Sequence, residues 1–119
     1  MHWTEINSLS QLDELNGLSK ENIVLVFKHS TRCSISDIAY ARLQSLSFLE
    51  LPANLKCFYL DLIRYKELSN LIAERYKVYH ESPQILLIKD GDCFFECSHL
   101  DISWETILDQ MQSEKQMTA

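Results

Sequence analysis

The stretch IVLVFKHSTRCSIS, residues 23–36, decides the fold. Residues 23–27 are β-branched, aromatic or leucine with no polar alternation, the pattern of a strand covered on both faces of a sheet. From Lys28 the chain turns polar, through His29, Ser30, Thr31, Arg32, Cys33 and Ser34. Apolar residues then recur at Ile35, Ile38, Ala39, Leu43, Leu46 and Leu49, close to one face of a helix over residues 35–49. Pro52 follows, where prolines often end helices. A buried strand, a polar turn and a helix open a βαβ unit, and they put Cys33 at the junction.

Working outward, residues 8–18 carry Leu9, Leu12, Leu15 and Leu18 at helical spacing, with Ser8 or Ser10 as N-cap and Asn16-Gly17 as an early stop. Residues 3–6 read as a short edge strand. Downstream, residues 57–62 (CFYLDL) read as a second strand. Residues 65–76 form a helix with Leu68, Leu71, Ile72 and Tyr76 on one side. Pro83 precedes a third strand over 85–88, and Lys89-Asp90-Gly91-Asp92 is a hairpin turn into a return strand over 93–98. Residues 103–111 close the chain as a helix capped by Ser103, its apolar face made by Trp104, Ile107, Leu108 and Met111. The order is βαβ, α, β-hairpin, α. A right-handed βαβ crossover plus a hairpin gives a three-layer α/β/α domain around a central mixed β-sheet, an order similar to the thioredoxin plan.

At 119 residues, one domain over 1–119 is expected. Neither a repeat nor a linker interrupts it. The hydrophobic content of 46% suits a globular core, and the net charge of −6 argues against nucleic acid or an anionic membrane as partner. The start, MHWTEINS, has no basic segment followed by an apolar one, and the longest apolar runs fall far short of a membrane span. A cytoplasmic protein is expected, with reduced thiols.

The four cysteines are Cys33, Cys57, Cys93 and Cys97. Cys33 is singled out by its polar flanks and by its place at a helix start, where unpaired N–H groups and the positive end of the dipole favour a thiolate, the nucleophile of disulfide exchange. The dipole contributes roughly 0.3–1 kcal/mol, less than about one pKa unit, so N–H groups and the nearby cations Arg32, Lys28 and His29 have to add to it. Asp37 opposes them if it faces the sulfur. Ser36 stands where a C-x-x-C motif has its second cysteine. Its hydroxyl can bond a thiolate or an adjacent N–H but cannot form a disulfide, so Cys33 depends on an outside thiol for release. The other three cysteines read as small buried apolar residues, with Cys93 and Cys97 about 13 Å apart along one strand, too far to bridge. The expected site comprises Cys33 and Ser36 as catalytic residues. Thr31, Arg32, Ser34, Ile35, Ser82 and Pro83 form the expected substrate-binding surface; the thioredoxin plan sets a cis proline opposite the nucleophile, and Pro83 reads either as that proline or as an ordinary trans proline entering a strand. His29 reads as a satisfied strand-end histidine more than a proton shuttle. No Cys/His spacing fits zinc, and two glycines leave no phosphate loop.

The run from Phe27 to Ser36 (FKHSTRCSIS) resembles the motif of the YtxJ family, the monothiol, bacilliredoxin-like group of the bacillithiol system. Ser82-Pro83-Gln84 resembles its cis-proline segment, and Trp3 also fits. The resemblance implies a thioredoxin-like fold with no bound cofactor. It implies that Cys33 attacks S-thiolated client proteins to remove a low-molecular-weight thiol, bacillithiol, which also serves as co-substrate. Two departures stand out. Ser34 occupies a position where the family often has proline, and the buried acid that thioredoxin carries before its motif is absent from Val24, Leu25 and Val26. Two other classes compete. One is a non-catalytic thioredoxin-fold module that binds a protein along the Cys33/Pro83 groove. The other is a monothiol glutaredoxin-like Fe–S carrier, whose C-G-F-S motif this chain does not match.

Overall fold

The computed structural model describes residues 3–45 and 51–118. Its centre is the strand of the opening stretch, β2 (Ile23–His29), numbered after a two-residue edge strand, β1 (Thr4–Glu5), and a first helix, α1 (Leu9–Leu18). All seven residues of β2 are buried. It pairs in parallel with β3 (Leu55–Asp61) on one side and antiparallel with β4 (Gln84–Lys89) on the other. β5 (Asp92–Ser98) extends β4, and β1 extends β3, giving the order β1-β3-β2-β4-β5. This is the expected mixed sheet.

Period-two alternation sorts each central strand between two cores. Ile23, Leu25, Phe27, Ile85 and Leu87 face α2 (Ser34–Gln44) and α4 (Trp104–Thr118). Val24, Val26, Leu86 and Ile88 face α1 and α3 (Lys66–Tyr76). The layers are therefore α2/α4, sheet, α1/α3. Each fully buried leucine or isoleucine contributes about 1.5–3 kcal/mol of transfer free energy, so β2 and β4 stabilise the frame far more than β1 does.

Three elements run differently from the sequence reading. β2 continues through Lys28 and His29, because Leu60, Asp61 and Gln84 extend the ladder beside them, the Ser69 carbonyl accepts from Lys28 and Ser36 bonds His29 Nδ1. α2 is described to Gln44 with Ser45 as C-cap, and Leu46 and Leu49 lie outside the described residues. α4 continues past Met111 to Thr118. The hairpin turn is as read, with positive φ at both Asp90 (53°) and Gly91 (79°), the geometry that a two-residue primed turn requires. The Ser103 hydroxyl accepts the Thr106 N–H at 3.2 Å, capping α4.

Two bonds fix α2 for its role. Trp104 Nε1 donates to the Leu43 carbonyl at 3.0 Å, and Arg42 Nη1 donates to the Leu100 carbonyl at 2.8 Å. The C-terminal half of α2 is tied to α4 and to the turn before it. Its N-terminus is thereby held at the edge of the sheet where β2 and β3 end.

Candidate active site

The loop from β2 to α2 is a tight turn closed by backbone. The Cys33 N–H reaches the Ser30 carbonyl at 3.3 Å, and the Arg32 N–H reaches Ser30 Oγ at 3.3 Å. Cys33 is the N-cap of α2, in extended conformation (φ −126°, ψ 123°), and its carbonyl accepts the first helical bond from the Asp37 N–H. Its side chain makes no capping bond. Cys33 is half-buried on a turn whose neighbours Thr31, Arg32, Ser34 and Ile35 are exposed. Those five residues form one continuous surface at the helix start.

Ser36 is fully buried, one turn into α2. Its Oγ accepts the Ser30 N–H at 2.9 Å and lies 2.6 Å from His29 Nδ1. The accounting closes when the Ser36 hydroxyl donates to Nδ1, which leaves the proton of the neutral ring on Nε2. Nε2 faces Asp37 Oδ1 at 3.8 Å, an ion-pair distance and too long for a hydrogen bond. Ser36 therefore takes the second of the two roles read for it, bonding an adjacent N–H, and pins the strand end to the helix start.

His29 lies in an aromatic layer, with ring centroids 5.0 Å from Tyr40, 5.6 Å from Phe27 and 5.9 Å from Tyr59. Burial in this layer lowers its pKa below 6.5, against the opposing pull of Asp37 and Asp61. The histidine is buried and bonded through Nδ1, and its burial favours the neutral ring. Sequence reasoning missed Tyr40 and Tyr59. The signal for Tyr40 was present, since residues 36 and 40 share a helix face.

The ladder brings the second half of the expected site alongside. Lys28 pairs with Gln84, so Pro83 comes one step beyond, beside the end of β2. The Ser82–Pro83 peptide is cis, Pro83 is buried, and its carbonyl accepts the His99 N–H at 3.0 Å. Ser82 Oγ is buried with no hydrogen-bond partner among the described residues.

Lys28 corrects the sequence reading. The sequence sets it among the cations near Cys33, but alternation turns it to the opposite face of the sheet from His29 and α2. There its Nζ donates to the Ser69 carbonyl at 3.0 Å. Any cationic help for Cys33 from its sequence neighbours falls to Arg32.

All four cysteines are free. Burial pushes Cys57 and Cys97 up to about 12 and Cys93 up to about 11, so these thiols stay protonated and weakly nucleophilic at neutral pH. Cys57 is buried as read, while Cys93 and Cys97 are half-buried. A register shift in β5 sets Leu87 opposite Phe95 but Ile88 opposite Cys93, leaving Phe94 as an extra residue. Four positions apart, the two cysteines would share a face, but the bulge sends Cys97 to the α2/α4 core and Cys93 to the α1/α3 core.

Among solved structures, the chain is similar to a protein described as a suspected oxidoreductase with a thioredoxin fold, at 26% identity and TM-score 0.76, covering 89% of this chain and 90% of that one. It is also similar to thioredoxin f from spinach chloroplast (13% identity, TM-score 0.70, 94% and 92% covered) and to thioredoxin f2 from Chlamydomonas reinhardtii (13%, 0.71, 95% and 96%). The fold is thus thioredoxin-like. Residues 4–107 match the family model described as monothiol bacilliredoxin BrxC, and with Cys33 at the helix start and Ser36 in place of a second cysteine, the chain belongs to the monothiol bacilliredoxin BrxC family, a thiol-oxidoreductase kind.

Proposed function

We propose that this protein removes a low-molecular-weight thiol, bacillithiol, from mixed disulfides of client proteins through Cys33. The observation that carries the reading is the single half-buried thiol at the start of α2, with buried Ser36 at the resolving position and the three remaining thiols held protonated. The Cys33 thiolate attacks the thiol-side sulfur of the client disulfide. A Cys33–bacillithiol disulfide forms, the client disulfide breaks, and the client leaves as a thiolate. A second bacillithiol thiolate then attacks the capped Cys33, releasing bacillithiol disulfide and restoring the thiolate. The client is reduced by two electrons, and two bacillithiol molecules end as one disulfide. Thr31, Arg32, Ser34 and Ile35 border the sulfur. With Ser82 and Pro83 across the strand end, they would hold the extended client.

Mass spectrometry of Cys33 after incubation with bacillithiol-capped and glutathione-capped protein tests this. The expected result is transfer of the bacillithiol cap to Cys33 and none in Cys33→Ser. Transfer of glutathione in preference to bacillithiol, or a Cys33 that takes neither cap, overturns it.

A further inference from the structure

A hydroxyl has one proton to give and two lone pairs to fill. At buried Ser36 the proton goes to His29 Nδ1 at 2.6 Å, and one lone pair takes the Ser30 N–H at 2.9 Å. The second lone pair meets no donor among the described residues. Ser36 is the third residue of α2 and Cys33 its N-cap, the two positions that face each other in a capping box. Ser30 closes the circuit, since its carbonyl takes the Cys33 N–H at 3.3 Å. His29, Ser36 and the turn that carries Cys33 are thus one bonded unit.

The groups around His29 set how well its ring holds a charge. From α2, Asp37 Oδ1 stands 3.8 Å from Nε2, and Tyr40 stacks on the ring at 5.0 Å. From β3, Asp61 pairs with His29 in the ladder, and Tyr59 lies 5.9 Å away. From β1, Glu5 is opposite Tyr59. Lys28 points to the other face of the sheet, and Arg32 on the turn is exposed. Burial lowers the proton affinity of the ring, while Asp37 and Asp61 raise it. Burial prevails while Cys33 is a thiol. A thiolate at the start of α2 adds a negative charge to those of Asp37 and Asp61, and the electron-rich phenol faces favour a cation.

We infer that His29 is a positioning residue for Cys33, acting through Ser36 as the final acceptor of the thiol proton. Cys33 gives its proton to the open lone pair of Ser36 Oγ as Ser36 passes its own to His29 Nδ1. The S–H bond and the old O–H bond break, and a new O–H bond and an N–H bond form. The products are a Cys33 thiolate that accepts from the Ser36 hydroxyl, and an imidazolium protonated on both nitrogens. The Ser30 N–H stays on Ser36 Oγ throughout, so the turn keeps its shape. This rests on Cys33 being the nucleophile of the proposed reaction, and it supplies activation beyond what the helix dipole gives.

The test follows alkylation of Cys33 by iodoacetamide in the reduced full-length protein between pH 5 and 8, with mass spectrometry separating Cys33 from the other thiols. A thiolate beside an imidazolium holds as many protons as a thiol beside a neutral ring, so above the His29 midpoint the reactive pair has a constant population. Between pH 6.5 and 7.5 the wild-type rate should therefore change by less than about twofold. In His29→Asn the side-chain oxygen still accepts from Ser36 but takes no proton, and over the same interval the rate should rise by about fivefold or more, as for a lone thiol. Ser36→Ala should follow His29→Asn, and the double variant should lose no more than either single one. NMR of the wild-type His29 ring at pH 7.5 needs no variant: an imidazolium fraction present in the reduced protein should vanish once Cys33 is alkylated. A wild-type rate that climbs as steeply as that of His29→Asn, or a ring signal that alkylation leaves unchanged, overturns the inference. So does a His29→Asn protein with the wild-type profile, which marks a bond that only holds the fold. Iodoacetamide carries no thiol cap, so a plateau in a protein that takes neither bacillithiol nor glutathione upholds the coupling and refutes the proposed reaction.

Discussion

Replacing Lys28 by methionine removes the buried charge while keeping most of the bulk, and its effect depends on pH in a way the structure specifies. Burial moves Lys28 from 10.5 down to about 8. Below pH 8 the side chain is protonated in both folded and unfolded chains, and its charge opposes folding in full. Between pH 8 and 10.5 the folded chain has lost the proton and the unfolded chain has kept it, so stability rises with pH. At about 1.4 kcal/mol for each pH unit between the two values, the full opposition is about 3 kcal/mol, of which 2–3 kcal/mol is relieved between pH 7 and 10. The thiols act in reverse. Cys57 and Cys97, raised to about 12, and Cys93, raised to about 11, keep their protons in the fold, so stability falls as pH rises above 9. That loss is common to both proteins and cancels in their difference. Urea unfolding followed by tryptophan fluorescence, in chloride buffer with a reductant, reads the difference at pH 7 and pH 10. The wild type should gain about 2–3 kcal/mol on Lys28→Met between the two. A difference that stays constant within about 0.5 kcal/mol, the scale of an ordinary surface substitution, would refute the buried-cation argument.

Three further outcomes follow from the β2–α2 junction. Ser36→Ala leaves the Ser30 N–H and His29 Nδ1 without their buried partner, and urea unfolding should show a loss of about 1–3 kcal/mol. Ser36→Cys puts a second thiol one helical turn from Cys33, roughly 5–6 Å between Cβ atoms before adjustment, so mass spectrometry after cap transfer should find a disulfide between Cys33 and the introduced thiol, and a free cap without added thiol. The ring resonances of His29 should titrate with a midpoint below 6.5, and a midpoint above it would mean that Asp37 outweighs burial.

The central strand, the hairpin turn and the order of elements were legible because each rests on local chemistry. β-branched residues at 23–27 declare a buried strand, and Asp90-Gly91 declares positive φ. Cys33 and Ser36 were legible for the same reason, since their spacing fixes their places on the first turn of a helix. What escaped depends on partners distant in sequence. Lys28 and His29 look like the start of a polar loop, and only Ser69 and Ser36, 41 and 7 residues away, make them tolerable inside a sheet. The sorting of Cys93 and Cys97 to opposite cores hangs on one extra residue at Phe94, which strict alternation in the sequence does not announce. Tyr59 joins the site through the β2–β3 register, information carried by pairing and not by either strand alone.

The adjacency of Lys28 and His29 on opposite faces of β2 also limits how this family member can change length. A one-residue insertion or deletion within residues 23–27 would turn every later side chain over. The ammonium would enter the aromatic layer beside Tyr40 and Tyr59, and the imidazole would be presented to Ser69 across the sheet. Loops can drift in length at little penalty, but this strand is locked residue by residue. Variation in β2 should therefore consist of substitutions that keep the count, and never of gaps.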